Sequence, residues 1–473
     1  MSPRVVVVGG GISGLSAAWS LCTDHPELDV WVLEGASRVG GKIRRGWLPR
    51  VELDVDVGAE SVLARRPEAL DLIGEVGLES SLVHPRTSTA SLVSRGALRP
   101  LPSGTMMGIP ADVRAFRGLL TGDELGRAQA EAVPTPAPGR AVDISIGDLV
   151  AARLGDAVVD RVVEPLLGGV YAGHARRISA AAALPAAFAA HRDGVALTEA
   201  AGRALPPRRQ GPQPPVFAGL SSGMFTLPEG LVGALEGRGA SVRTGVTVRE
   251  LERSADGFTL RCGPVTEPET ITADAVVVAV PPAPAARLLT EVAPAAALAL
   301  AQVQTASMAI LTLALPQSSM PAVQGSGLLV PPIEGFSVKA ATYSSEKWDW
   351  VDQQGAGSAG GAVSLLRASV GRHGEESVLQ RDDNALVDLV LRDLRTMGVA
   401  LPDPVDALVQ RWGGALPQYE PGHLDRVASV RAAVAGVPGL AVAGATYDGV
   451  GIPACIGSGR AAAEQVAASQ WAA

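Results

Sequence analysis

The chain has 473 residues, 47% apolar and 19% charged, with 48 acidic against 40 basic side chains and a formal charge of −8. That length exceeds one compact core, and that apolar content excludes a disordered chain, so two or three globular domains are predicted. A pI of about 5.4 excludes the basic footprint of a nucleic-acid binder, while local arginines can still hold a small anion.

In chain order, residues 5–8 are four valines, as a parallel strand buried on both faces requires. Residues 15–22 fit a helix and 30–33 a second strand ending at Glu34, the first half of a doubly wound sheet. Helical patterns dominate 85–215, for example 146–154 and 157–167. Pro-rich breaks interrupt them at 131–140 and 205–215, and the second is the best linker candidate. Strand-like runs return at 241–248, 258–262 and 275–280, the last stopped by Pro281-Pro282.

Between 292 and 333 no residue is charged, and 298–315 is long enough to suggest a membrane span. Gln302, Gln304, Thr305, Ser307 and Thr312 interrupt it, and Pro294, Pro316 and Pro321 punctuate it. A short helix and then a buried strand over 309–315 are predicted, with no integral membrane contact. Residues 439–444 are a last buried strand, followed by a Gly-rich turn and a helix over 456–468.

The predicted fold class is α/β, with a Rossmann-like domain discontinuous in sequence over 1–84, 217–285 and 435–473. A mainly helical inserted domain covers 85–216, and a mixed-sheet, α+β substrate-binding domain covers 286–434. The three cysteines, Cys22, Cys262 and Cys455, lack a C-x-x-C pair and read as free thiols of a reducing compartment. No leader is read before the first strand, so a cytoplasmic location is expected. The six scattered histidines offer no metal site.

The first chemical motif is Gly9-Gly10-Gly11-Ile12-Ser13-Gly14, between a strand and a helix. Gly9 permits the tight turn, Gly11 lets a pyrophosphate approach the backbone, and Gly14 lets helix and strand pack closely. The helix N-terminus then faces the phosphates. Glu34 follows Gly14 by 20 residues, where a carboxylate can bind ribose hydroxyls. These features specify a dinucleotide without separating FAD from NAD. At the other end, residues 444–453 place small residues between a strand and a helix. That helix N-terminus can stabilise negative charge on a reduced ring system.

Arg38-Val39-Gly40-Gly41-Lys42 resembles the FAD-containing amine oxidase superfamily, in which a second glycine pair continues the dinucleotide site and a basic residue reaches the phosphates. More specifically, the chain resembles the FAD-dependent porphyrinogen oxidases, in the coproporphyrinogen III oxidase branch found in actinobacteria and firmicutes. The similarity runs along most of the chain. It includes Gly58-Ala59-Glu60-Ser61 with 64–70, Pro165-Leu166-Leu167-Gly168-Gly169-Val170-Tyr171-Ala172-Gly173, and 223–228. It continues in 343–348, Leu416-Pro417-Gln418-Tyr419 with Gly422-His423, and 449–453 with Ser458-Gly459-Arg460. Two departures stand out: Ala59, where relatives often carry Pro, and His174, where they commonly carry an acid.

The resemblance implies non-covalent FAD, held by Gly9 to Gly14, Glu34, Gly35, Arg38, Gly40, Gly41 and Lys42. Further contacts are implied at Val57, Gly58, Ala59, Glu60, Val246, Trp412, Val450, Gly451 and Ile452. It implies a porphyrinogen substrate that loses six electrons in three two-electron steps, each sending a hydride to the flavin, with O2 as final acceptor and hydrogen peroxide as product. Pyrrole N–H groups can lose the protons by tautomerisation, so no catalytic side chain is assigned. Propionates need cations, and Arg65, Arg66, Arg176 and Arg177 are the candidates, with Tyr171 lining the pocket. Transient contact with other haem-synthesis enzymes is left open.

A protoporphyrinogen IX oxidase, a flavin amine oxidase, a carotenoid desaturase and a non-enzymatic FAD module are the alternatives. An amine oxidase would need an aromatic cage, and this chain holds 6 Phe, 7 Trp and 4 Tyr.

Overall fold

A computed structural model describes residues 2–134, 142–206 and 215–471. Most of both Pro-rich breaks, and with them the linker candidate, lies outside the described residues.

The N-terminal valines form the centre of a five-stranded parallel sheet. Its order is Ser241–Thr244, Asp29–Glu34, Arg4–Val8, Ala275–Val278 and Leu440–Val442. Val5 stands in register with both Val30 and Ala275, and Val5 to Val8 are at most 3% exposed. Each buried valine contributes about 1.5–3 kcal/mol, and β-branching suits the pleat. The first, middle and last parts of the chain thus meet in one sheet. Helix Ile12–Asp24 packs closely on the final helix, Ile452–Trp471, where a Cβ at Gly459 would lie 2.2 Å from the Ser13 carbonyl oxygen. The final helix starts at Ile452 rather than the predicted 456.

The predicted strand over 241–248 is two strands, because Gly245 turns the chain at φ +72°. Its second half, Val248–Ser254, pairs with Gly257–Cys262 and Glu269–Ala273 in a small antiparallel sheet.

The charge-free stretch folds as expected, into helix Pro294–Ala301 and strand Thr305–Pro316. That strand lies between Asp406–Pro417 and Val363–Val370 in a seven-stranded mixed sheet. Val338–Tyr343 and Gly327–Leu329 follow, and the hairpin Ser91–Ser94 with Ala97–Pro100 closes the edge, so 85–216 is not helical throughout. Ala309, Leu311, Leu313 and Leu315 share one face and one core with Leu386, Val390 and Leu394 of helix Asp383–Thr396. No helix among the described residues is long and apolar enough to cross a membrane.

The helical region has its own core, built from Ile146–Leu154 and a run from Asp156 to Tyr171 that passes through one π-helical turn. Ala172 ends that run in the left-handed region, at φ +48°.

Candidate active site

In a parallel sheet whose strand order reverses, a crevice opens at the carboxyl ends of the central strands. Here Arg4–Val8 and its neighbours end at such a crevice, a cavity of about 440 Å³ within the range of small-molecule sites.

Gly9, at φ +110°, turns the chain out of the first strand. A Cβ on Gly9 would lie 2.6 Å from the Ala279 carbonyl oxygen, and one on Gly14 only 1.9 Å from the Gly9 carbonyl oxygen. Only glycines allow that fit between strand and helix. Gly11 differs: a Cβ there meets nothing within 4 Å and would point into open space. The helix beginning at Ile12 has no side-chain cap and no acid in its first turn. Its first N–H groups and partial positive charge therefore remain available to an anion.

Glu34 secures the same turn, accepting hydrogen bonds from Gly10 N–H at 2.7 Å and Ala36 N–H at 2.8 Å. Arg38 donates to the Val39 carbonyl at 3.0 Å, and Gly40 N–H donates to the Gly10 carbonyl at 2.8 Å. Lys42 lines the crevice, and burial lowers its pKa, with Cys455 acting weakly in the opposite sense. Gly58 packs on the Lys42 carbonyl, where a Cβ would lie 1.9 Å away, and Ala59 N–H donates to that carbonyl. Trp412 Nε1–H donates to the Val57 carbonyl at 2.9 Å, bringing the edge of the seven-stranded sheet to the crevice.

The structure brings most predicted cofactor residues to one wall. Gly9, Gly11, Ile12, Ser13, Glu34 and Gly35 line the near side, with Gly40, Gly41 and Lys42 beside them. Ala59, Val246, Trp412, Val450 and Ile452 line the rest. Gly10, Gly14, Arg38, Val57, Gly58 and Gly451 do not line it: Gly10, Gly14, Val57 and Gly58 support the lining from behind, and Gly451 is exposed. Glu60 points away, its carboxylate paired with Lys347 at 2.6 Å and with Arg367.

Sequence reasoning missed Pro281, Pro282, Pro284 and Arg287, which line the cavity after strand Ala275–Val278. The Pro-Pro stop marked the end of that strand, but its place beside the first strand, which brings its end to the crevice, is set by tertiary pairing. Among the described residues Arg287 and Lys42 are the cations that line it, suiting an anionic ligand. Its other titratable liners, Glu34 and Cys455, form no acid–base pair. The first is used by the turn, and burial raises the second.

The four predicted arginines lie elsewhere. Arg65 and Arg66 are exposed, and Arg66 pairs with Glu68. Arg176 pairs with Asp156 at 2.7 Å and Asp160 at 3.2 Å, and Arg177 pairs with Glu420. Tyr171 lines a second cavity of about 410 Å³, with its ring 5.5 Å from that of Tyr419. Burial pushes its phenol up to about 12, so it stays neutral. His423 stacks on Tyr419, and burial holds it down at about 4, hence uncharged at neutral pH. Tyr447, Asp448 and Gly449 line this second cavity, and Val450 and Ile452 line the first, so the turn between 445 and 452 is a shared wall. No group of His, Cys, Asp and Glu among the described residues could hold a metal ion.

The model of the flavin containing amine oxidoreductase family matches residues 12–467. A coproporphyrinogen III oxidase of Mycobacterium tuberculosis is 40% identical over 470 residues, covering 98% of this chain and 97% of that protein. The protein of the same name from Bacillus subtilis is 32% identical, with 97% of each chain covered. A crystal structure of an Exiguobacterium protein, provisionally named a protoporphyrinogen oxidase, superposes with a TM-score of 0.82 at 32% identity, covering 98% of this chain and 99% of that one. A glycine-lined crevice, a first helix whose N-terminus has no side-chain cap, and full-length similarity agree: the chain belongs to the flavin containing amine oxidoreductase family.

Proposed function

We propose that this chain is an FAD-dependent coproporphyrinogen III oxidase of haem synthesis, working in the cytoplasm with O2 as acceptor. The observation that carries this reading is its near full-length similarity to relatives of that name in two bacterial phyla, joined to a crevice that fits FAD. The overall change removes six electrons and six protons from the porphyrinogen, and three O2 become three H2O2. When bound, FAD supplies the acceptor for a hydride from a bridging carbon, two electrons at a time.

The chain's own residues bind and orient. Gly11 and the N-terminus of helix Ile12–Asp24 would hold the pyrophosphate, with Lys42 as its counter-charge. Glu34 would take the ribose hydroxyls with its remaining lone pairs, and Val246 would face the adenine. Ala59, Val450 and Ile452 would flank the ring system beside the N-terminus of helix Ile452–Trp471, whose first turn holds no acid. Tyr171 would line the substrate chamber. Arg65, Arg66, Arg176 and Arg177 remain the proposed propionate cations, and for Arg66, Arg176 and Arg177 a substrate would have to displace the carboxylates they pair with. Transient contact with neighbouring haem-synthesis enzymes belongs to the same proposal.

Replacing Glu34 by alanine should weaken FAD binding roughly ten- to a hundred-fold, more than it weakens folding, since charge-assisted hydrogen bonds contribute about 1.5–3 kcal/mol each and the turn also loses those to Gly10 and Ala36 N–H. Titration of apoprotein with FAD measures this, and unchanged affinity would place the ribose elsewhere.

Coproporphyrinogen III should be preferred over protoporphyrinogen IX. The two differ at two ring positions, where propionates replace vinyl groups, so the first is a tetra-anion and the second is more apolar. One desolvated cation–carboxylate contact is typically about 1.5–3 kcal/mol, or roughly ten- to a hundred-fold in kcat/KM. Parallel assays scored by porphyrin fluorescence test it. Equal kcat/KM for both, or preference for protoporphyrinogen IX, would move the chain to the other branch of the porphyrinogen oxidases.

A further inference from the structure

We infer that Lys339 is a specificity-determining residue whose ammonium anchors a substrate carboxylate at the inner end of the substrate chamber. The inference rests on the porphyrinogen reading above. Lys339 lies on strand Val338–Tyr343 and is 3% exposed. Among the described residues its ammonium has one polar neighbour, the Met308 thioether at 3.7 Å, and no carboxylate. A thioether is too weak an acceptor to replace lost hydration.

A second buried cation, Arg372, is close enough to act on Lys339, and burial followed by Arg372 lowers the lysine to about 7. Arg372 itself donates to the Val330 carbonyl at 3.1 Å and pairs with Glu375 at 3.5 Å. The neighbouring carboxylates are already engaged. Glu164 accepts from Ala175 N–H at 2.6 Å and lies 3.1 Å from His174 Nδ1, and Glu375 sits between Arg372 and His174. A buried ammonium without a counter-ion opposes folding. Such violations of packing rules concentrate where function uses them.

The place in the fold fits. Thr312 stands in register with Arg367 and Ile310 with Ser369, so Met308, Ile310 and Thr312 share one face of the seven-stranded sheet. The opposite face is the one that packs on helix Asp383–Thr396. On the first face Arg367 reaches the Gly58 carbonyl at 2.6 Å, beside the dinucleotide crevice. Met308 is half-buried there and in register with Trp412, a wall of that crevice. His373, next to Arg372, donates its backbone N–H to the Ala172 carbonyl at 2.7 Å, within the Tyr-Ala-Gly block. Lys339 therefore stands where the sheet face meets that block, one flexible thioether from the open side. A propionate that displaced Met308 would meet the ammonium directly.

The test compares Lys339→Met with wild-type holoenzyme on coproporphyrinogen III and on its neutral tetramethyl ester. The variant should raise KM for the acid about ten-fold, equivalent to about 1.4 kcal/mol, with kcat within about two-fold. The ester should lose little, and the unfolding temperature should hold or rise because an uncompensated charge is gone. Lys339→Gln repeats the test without the apolar side chain. Equal loss on acid and ester, no loss on the acid, or failure of both variants to fold with flavin would overturn the inference. A wild-type enzyme inactive on every porphyrinogen would instead overturn the reading on which it rests.

Discussion

Glu60→Ala should destabilise the protein by about 3–5 kcal/mol, read as a fall in the midpoint of chemical unfolding. The Glu60 side chain is 15% exposed and those of Lys347 and Arg367 are 13% and 12%, so removing the carboxylate leaves two cations stranded in the interior. The cluster ties the loop through Gly58 to the seven-stranded sheet, because Arg367 also donates to the Gly58 carbonyl. Burial pushes the Glu60 carboxyl up, but Lys347 and then Arg367 outweigh it and bring the pKa down to about 2. The stability Glu60 contributes is thus fully present above its unfolded pKa, about 4.3, and is lost as pH falls through about 2. Asp56 behaves oppositely. Burial raises it to about 7, against the hydrogen bonds it accepts from Met224 and Phe225 N–H, so its favourable share is present below pH about 4 and is lost as pH rises through about 7. The variant should therefore lose the acid limb between roughly pH 4 and 2 while keeping the decline toward neutrality. Adding Lys347→Met to Glu60→Ala should restore part of the loss, since the pair is coupled. Stability within about 0.5 kcal/mol of wild type for Glu60→Ala would mean that the cations find water.

Gly14→Ala should abolish flavin retention and lower stability, whereas Gly11→Ala should abolish retention alone. At Gly14 the new methyl carbon would lie 1.9 Å from the Gly9 carbonyl oxygen and 3.2 Å from Ala279 Cβ, so the first helix must shift off the sheet. At Gly11 the backbone is extended, at φ −73°, and an added Cβ would meet no heavy atom of the described residues beyond its chain neighbours within 4 Å, so alanine is tolerated by the fold. Its methyl group would instead occupy the space through which a pyrophosphate approaches the helix N-terminus. Affinity for FAD should fall at least roughly a hundred-fold in both, about 2.7 kcal/mol. Visible absorbance of the purified proteins and their thermal unfolding separate the two cases. A yellow Gly11→Ala protein would place the phosphates away from this turn.

The parts of the fold that were legible are those written locally. Four consecutive valines, a glycine turn and an acid 20 residues on specify a strand, a helix start and a second strand without reference to the rest of the chain. The same holds for Thr305–Pro316, where glutamines and prolines rule out a membrane helix and β-branched and apolar residues suit a buried strand. What stayed hidden depends on distant partners. Lys347 and Arg367 are 287 and 307 residues from Glu60, and Lys339 is notable only because no carboxylate among the described residues pairs with it. Arg287 reaches the crevice because strand Ala275–Val278 pairs with the first strand, a register no local pattern encodes. Gly245 looked like one residue of a strand, yet its positive φ ends that strand and starts another sheet.

Anaerobic mixing of the holoprotein with coproporphyrinogen III, followed by flavin absorbance and porphyrin fluorescence, tests the proposed activity most directly. The flavin band should bleach as porphyrin fluorescence appears, and admitting O2 should restore the band with formation of hydrogen peroxide. A flavin that stays oxidised with every porphyrinogen, and bleaches instead with a primary amine, would contradict the account.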